Sequence, residues 1–145
     1  MAFKPVNLVP GVGDIEYLAP AGSAFVAGQL VYRNTSLGTV APMTATVGDA
    51  TNVEAVVLKS ETVATANPYV RAVPVNGVYF VADCTNATAT DQLNKAHLLT
   101  DAGTVNNTST HSADINAVFV ALKVVGAAAD KKLFGYIAKV GQVTA

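Results

Sequence analysis

The dipeptide Asn76-Gly77 sits between two runs of β-branched and aromatic residues, Tyr-Val-Arg-Ala-Val-Pro-Val before it and Val-Tyr-Phe-Val-Ala-Asp-Cys after it. Asn-Gly tolerates positive φ at both positions, as the type I′ turn of a two-residue β-hairpin demands. The flanking residues are those strands favour. Residues 69–84 therefore read as a hairpin in which Val75 faces Val78, Pro74 faces Tyr79, Val73 faces Phe80 and Ala72 faces Val81. One face carries Tyr69, Arg71, Val73, Val75, Val78, Phe80 and Cys84; the other carries Val70, Ala72, Tyr79 and Val81. Neither face is polar, so both are expected to be covered. Pro74 has no amide hydrogen to give a neighbour, which places its strand at a sheet edge, at least locally.

Around this centre the rest of the chain reads as short strands and turns. Residues 1–20 hold Pro5, Pro10 and Pro20 beside Gly11 and Gly13. Proline restricts itself and the residue before it to extended backbone. The expectation is an extended N-terminal arm with a short strand over residues 14–18, free to lie on its own domain or on a neighbour. A single β domain follows over residues 21–145. Residues 30–32 and 39–41 form a second hairpin across the turn cluster Arg33-Asn-Thr-Ser-Leu-Gly38. Residues 44–52 are a polar loop, 53–58 a strand, and Val63 belongs to another. Asn67-Pro68 is the turn into the central hairpin.

Residues 85–112 form a polar insertion rich in Thr and Asn. Thr90 is placed to cap a short helix starting at Asp91, with Leu93 and Ala96 on one face and Lys95 and His97 at the far end. Thr100-Asp-Ala-Gly103 stops it, and residues 104–112 are a surface loop or hairpin tip. Residues 113–125 and 133–140 are the last two strands, joined by a turn at 126–132, and the final five residues a tail. About eight strands, with turns every roughly 8–12 residues, make the fold mainly β: a small antiparallel barrel or sandwich with one short helix.

Charged residues are 13% of the 145, with a net charge of −1, about half the roughly 25% usual in soluble proteins. No basic field exists to attract nucleic acid or an anionic membrane, and no segment approaches the ~20 apolar residues of a spanning helix. The N-terminal residues lack the pattern of a secretory signal. Cys84 is the single cysteine, so no intramolecular disulfide forms, and it reads as a small core residue. Asn34, Asn86 and Asn107 open glycosylation sequons but are read as turn residues. His97 and His111 have no ligand spacing and read as a helix-end cation and a loop residue. Neither a Cys84–His97 thiol pair nor a Gly-x-Ser-x-Gly elbow is supported. No catalytic, cofactor-binding or metal residues are assigned, and the chain is not expected to be an enzyme.

The run Ala24-Phe-Val-Ala-Gly-Gln-Leu-Val-Tyr32, followed by Gly38-Thr-Val-Ala41, residues 45–49 and the Val-rich strand at 53–58, resembles the capsid decoration (cement) proteins of tailed phages. The similarity covers about residues 20–83; the insertion at 85–112 departs from it. The resemblance implies a non-enzymatic virion protein on the outer capsid surface, made in the host cytoplasm. It implies the major capsid protein as partner, and a homo-oligomer, with a trimer favoured. Two contact elements are expected on this chain. The first is the arm, through Phe3, Val6, Leu8, Val9, Tyr17 and Leu18. The second is the hairpin edge, through Tyr69, Arg71 and Pro74. A small ligand- or glycan-binding adhesion module, working through residues 85–90 and 104–112, is the alternative.

Overall fold

The computed structural model describes residues 2–6, 13, 15–34, 37–43, 53–107 and 117–138. Thirteen antiparallel strands are found among them, grouped in three sheets. The chain is mainly β, as expected, and the strands are shorter and more numerous than the sequence suggests.

The larger sheet has six strands in the order β1 (Phe3–Pro5), β9 (Tyr79–Asp83), β13 (Lys132–Ile137), β12 (Phe119–Val125), β10 (Lys95–Asp101), β11 (Thr104–Asn106). The second has five, in the order β2 (Ile15–Leu18), β8 (Tyr69–Pro74), β6 (Val53–Val57), β4 (Leu30–Asn34), β5 (Thr39–Pro42). A two-stranded ribbon, β3 (Ala24–Phe25) with β7 (Glu61–Thr62), completes the set. The five-stranded sheet curls until its outer strands, β2 and β5, approach each other.

The curling creates two cores. Tyr17, Phe25, Val31, Val40, Ala55, Val57, Val70 and Ala72 fill the inside of the curled sheet. Leu30, Val53, Val56 and Val73 point the other way and pack against Phe3, Phe80, Phe119, Leu133 and Ile137 of the six-stranded sheet. β6 is therefore buried on both faces along most of its length, and β4 and β8 are so at Leu30–Val31 and at Ala72–Val73. That is why they are runs such as Val53-Glu-Ala-Val-Val57, with little alternation. Backbone bonds tie the two sheets together: Leu30 N–H donates to Ala102 O at 2.8 Å, and Phe3 N–H to Gly28 O at 3.1 Å.

The central hairpin is corrected by the structure. A turn does form at Asn76-Gly77, where Val78 N–H donates to Val75 O at 3.3 Å. Its two strands do not pair. Of the two turn residues only Gly77 has positive φ, +74°. Positive φ at the second central residue alone is the pattern of a type II turn, and type II turns splay the strands they join. β8 enters the curled sheet, with Val73 opposite Val56 and Pro74 opposite Ala55. β9 enters the six-stranded sheet, with Phe80 opposite Gly135. β8 lies between β2 and β6, but β2 pairs no further along it than Ala72, so at Pro74 the strand is locally an edge, as its missing amide hydrogen predicts.

The helix expected after Asp91 is a single 3-10 turn, Thr90–Gln92. Asn94 then takes a left-handed conformation, φ 59°, which ends the turn, and residues 95–101 continue as β10. The cap is Gln92, whose Oε1 accepts from Ala89 N–H at 3.1 Å, and not the Thr90 hydroxyl. Thr100-Asp-Ala-Gly103 turns the chain from β10 into β11. Val63 lies just past β7 and not in it. β4 and β5 pair with Asn34 opposite Thr39, β6 occupies 53–57, and β12 and β13 pair across a turn at 126–131. The polar loop at 44–52, residues 108–112 and the last residues of the chain lie outside the described residues.

Candidate interaction surfaces

The residues expected to form contacts divide into three groups. Phe3 and Tyr17 turn inward, which corrects the expectation for both. Phe3 is 0% exposed, packed edge-on to Phe80 and Phe119 with ring centres 6.1 and 5.9 Å away. Tyr17 lies in the second core, and burial first, then the Glu54 carboxylate, pushes its hydroxyl pKa up. Phe3 lies in β1 and Tyr17 in β2, the latter the strand expected at 14–18, and both strands pair with the chain's own sheets. Leu8 and Val9 lie outside the described residues.

Leu18, Tyr69 and Arg71 come together on the outer face of β2 and β8. Leu18 is opposite Tyr69 and Glu16 opposite Arg71, and Arg71 Nη1 meets Glu16 Oε1 at 3.2 Å. Along β8 the same face is covered by the six-stranded sheet at Val73 and Val75, and uncovered at Tyr69 and Arg71. Pro74 is half-buried at the boundary.

Val6 belongs to a different surface, which the sequence reading did not assemble. Its N–H donates to Tyr79 O at 2.9 Å, which sets it beside the outer face of β9 and β13. There Tyr79 stands opposite Tyr136 and Val81 opposite Phe134. Tyr79 stacks on Phe134 at 5.5 Å and meets Tyr136 edge-on at 6.2 Å. Val6, Tyr79 and Tyr136 are 47%, 40% and 37% exposed. A bulge in β12 leaves Leu122 exposed nearby. Beneath the splayed turn this face runs into a groove of about 300 Å³, lined by Val75, Val78, Tyr79, Tyr136 and Ile137 among others. The alternation Tyr79, Val81 and Phe134, Tyr136 was the available signal, hidden because β9 was paired with β8 and not with β13.

Among the described residues no group of three or more His, Cys, Asp or Glu side chains gathers to hold a metal. Cys84 is buried, and burial followed by the neighbouring Asp83 charge pushes its thiol up to about 12. A thiol so held stays protonated at neutral pH and is a poor nucleophile. His97 does not sit at a helix end: it is fully buried on β10, with Nε2 2.8 Å from Gln92 O. His111 lies outside the described residues.

The loop after Cys84 is occupied in holding the fold. Asn107 is 1% exposed; its Oδ1 accepts from Asn86 N–H and its Nδ2 donates to Asn86 O, both at 2.9 Å. Gln92 Nε2 donates to Asn107 O at 3.0 Å. The Thr85 and Thr100 hydroxyls are hydrogen-bonded to each other. No protein-family model matches the chain, and no curated protein matches it.

Proposed function

We propose that the chain is a structural virion protein that decorates and stabilises the outer surface of a phage capsid by bridging major capsid protein subunits. The observation that carries this reading is the pair of uncovered apolar faces, one on each large sheet. Tyr79, Tyr136 and Val6 stand on one; Leu18 and Tyr69 stand on the other. A protein that bridges neighbours needs two such faces. Many copies on a lattice also gain avidity, so each contact can be modest in area. The resemblance of residues 20–83 to decoration proteins supports the same reading. In it the protein forms a homo-oligomer, a trimer being favoured.

The adhesion-module alternative receives less support. Its loop at 85–90 and strand β11 are engaged internally through Asn86, Asn107 and Gln92.

Co-sedimentation tests the proposal. Purified protein mixed with undecorated shells of the phage that encodes it should pellet with them and saturate at a fixed ratio to capsid subunits. Protein that stays in the supernatant at every ratio overturns the proposal. Removing residues 2–13 is a poor probe of the arm, because it deletes Phe3 from the core. Leu8→Ser with Val9→Ser tests the same segment and spares Phe3.

A further inference from the structure

The two uncovered faces differ in charge. On the β2–β8 face Arg71 is answered by Glu16. On the outer face of the six-stranded sheet the charges are mostly of one sign. Lys4 stands opposite Val81, Lys123 opposite Phe134 and Lys132 opposite Asp83. Lys132 is paired with Asp83 at 2.5 Å. Among the described residues neither Lys4 nor Lys123 has a carboxylate at ion-pair distance. Lys4 and Lys132 also border a groove of about 240 Å³ floored by Val6 and Val81. Of the three lysines around this aromatic centre, Lys132 is held by Asp83 with Asp130 close by, which leaves Lys4 and Lys123 as the excess of positive charge on a chain whose net charge is −1.

We infer that this face docks on the shell partner, and that the partner presents acidic side chains around an apolar centre; the inference rests on the capsid reading above. Opposite charges at the edge of a contact steer encounter and fix register. Aromatic residues at the centre, desolvated on binding, supply most of the affinity. A second copy is the poorer occupant, because a two-fold contact sets the same lysines against themselves. Single-stranded nucleic acid is poorer as well. It needs free ring faces to stack on, and Tyr79 and Phe134 already stack on each other.

The test uses the full chain and undecorated shells. Lys4→Glu combined with Lys123→Glu should fold as wild type, since both side chains are exposed and, among the described residues, have no ion pair, and should bind shells about tenfold more weakly. Wild-type binding should weaken as salt rises from roughly 50 to 500 mM. Lys59→Glu, an equal charge change at an exposed site away from the sheet, should bind as wild type. Wild-type binding with an unaffected double variant overturns this inference and leaves the capsid reading standing, as does equal weakening by Lys59→Glu. Wild type that never pellets overturns both. Anisotropy showing oligothymidylate bound by wild type and lost in the double variant reassigns the face to nucleic acid. Sedimentation velocity showing that Tyr79→Ser dissociates an oligomer of the free protein reassigns it to self-association.

Discussion

Gly135 shows how a single missing side chain lets two neighbouring strands, β12 and β13, lie side by side in the six-stranded sheet. It sits on β13 opposite both Phe80 and Ala121. A Cβ there would lie 1.9 Å from Val120 O and 2.9 Å from Phe119 Cζ. One of these atoms is backbone in a paired strand and the other is a fully buried ring, so neither yields cheaply. Gly135→Ala should therefore cost ~3 kcal/mol, at the upper end of overpacking effects. Urea denaturation checks it: the midpoint should fall with the slope unchanged. Cys84 supplies a second prediction at this scale. Its pKa in the folded state is about 12, above the ordinary thiol value it regains on unfolding. The folded protein thus holds a proton that the unfolded chain releases, and the stabilisation is complete below the unfolded pKa. It is lost as pH rises from about 9 towards 12. Lys132, raised chiefly by its hydrogen bond to Asp83, acts in the same direction. Denaturation midpoints should decline across that window, and decline less steeply in Cys84→Ala. The native thiol should also stay unreactive to a thiol reagent at pH 8 until the protein unfolds.

At the scale of elements, the splayed turn is the feature on which the architecture depends. Because β8 and β9 leave Asn76-Gly77 for different sheets, Val73 and Phe80 are not cross-strand neighbours. In NMR spectra, short interstrand backbone contacts should join Val73 to Val56 and Phe80 to Gly135, and none should join Val73 to Phe80. Contacts between Val73 and Phe80 would restore a simple hairpin and contradict the two-sheet fold. The strand residues themselves were legible in the sequence, as were their turns. The choice between a type I′ and a type II turn was not, because Asn-Gly satisfies both and tertiary packing decides. The expectation that both hairpin faces are covered holds only in part: Val73 and Val75 are covered, while Tyr69, Arg71 and Tyr79 stand in solvent. The short helix failed for a related reason. Leu93 and Ala96 fit a helical spacing, but Asn94 adopts positive φ and Ala96, His97 and Leu99 are buried in strand β10. The sequence places Leu18 in the arm and Tyr69 and Arg71 at the hairpin edge; that β2 pairs with β8 and sets all three on one face was not legible in it. The Tyr79–Tyr136 face was not legible either, because 56 residues separate partners that only the sheet order brings together.

For the whole molecule, low charge and two opposed interiors belong to one design. Strands buried on both sides consume the apolar residues, Thr and Asn make much of the remaining surface, and the charges that exist are placed unevenly. Both large sheets keep apolar side chains in solvent, and the role proposed above, covering another surface, would use them. The most direct measurement is a cryo-electron microscopy map of shells incubated with the protein. The account predicts repeated density outside the shell, with the Tyr79–Tyr136 face of the six-stranded sheet against the capsid subunits. Shells that remain bare at saturating protein would contradict it.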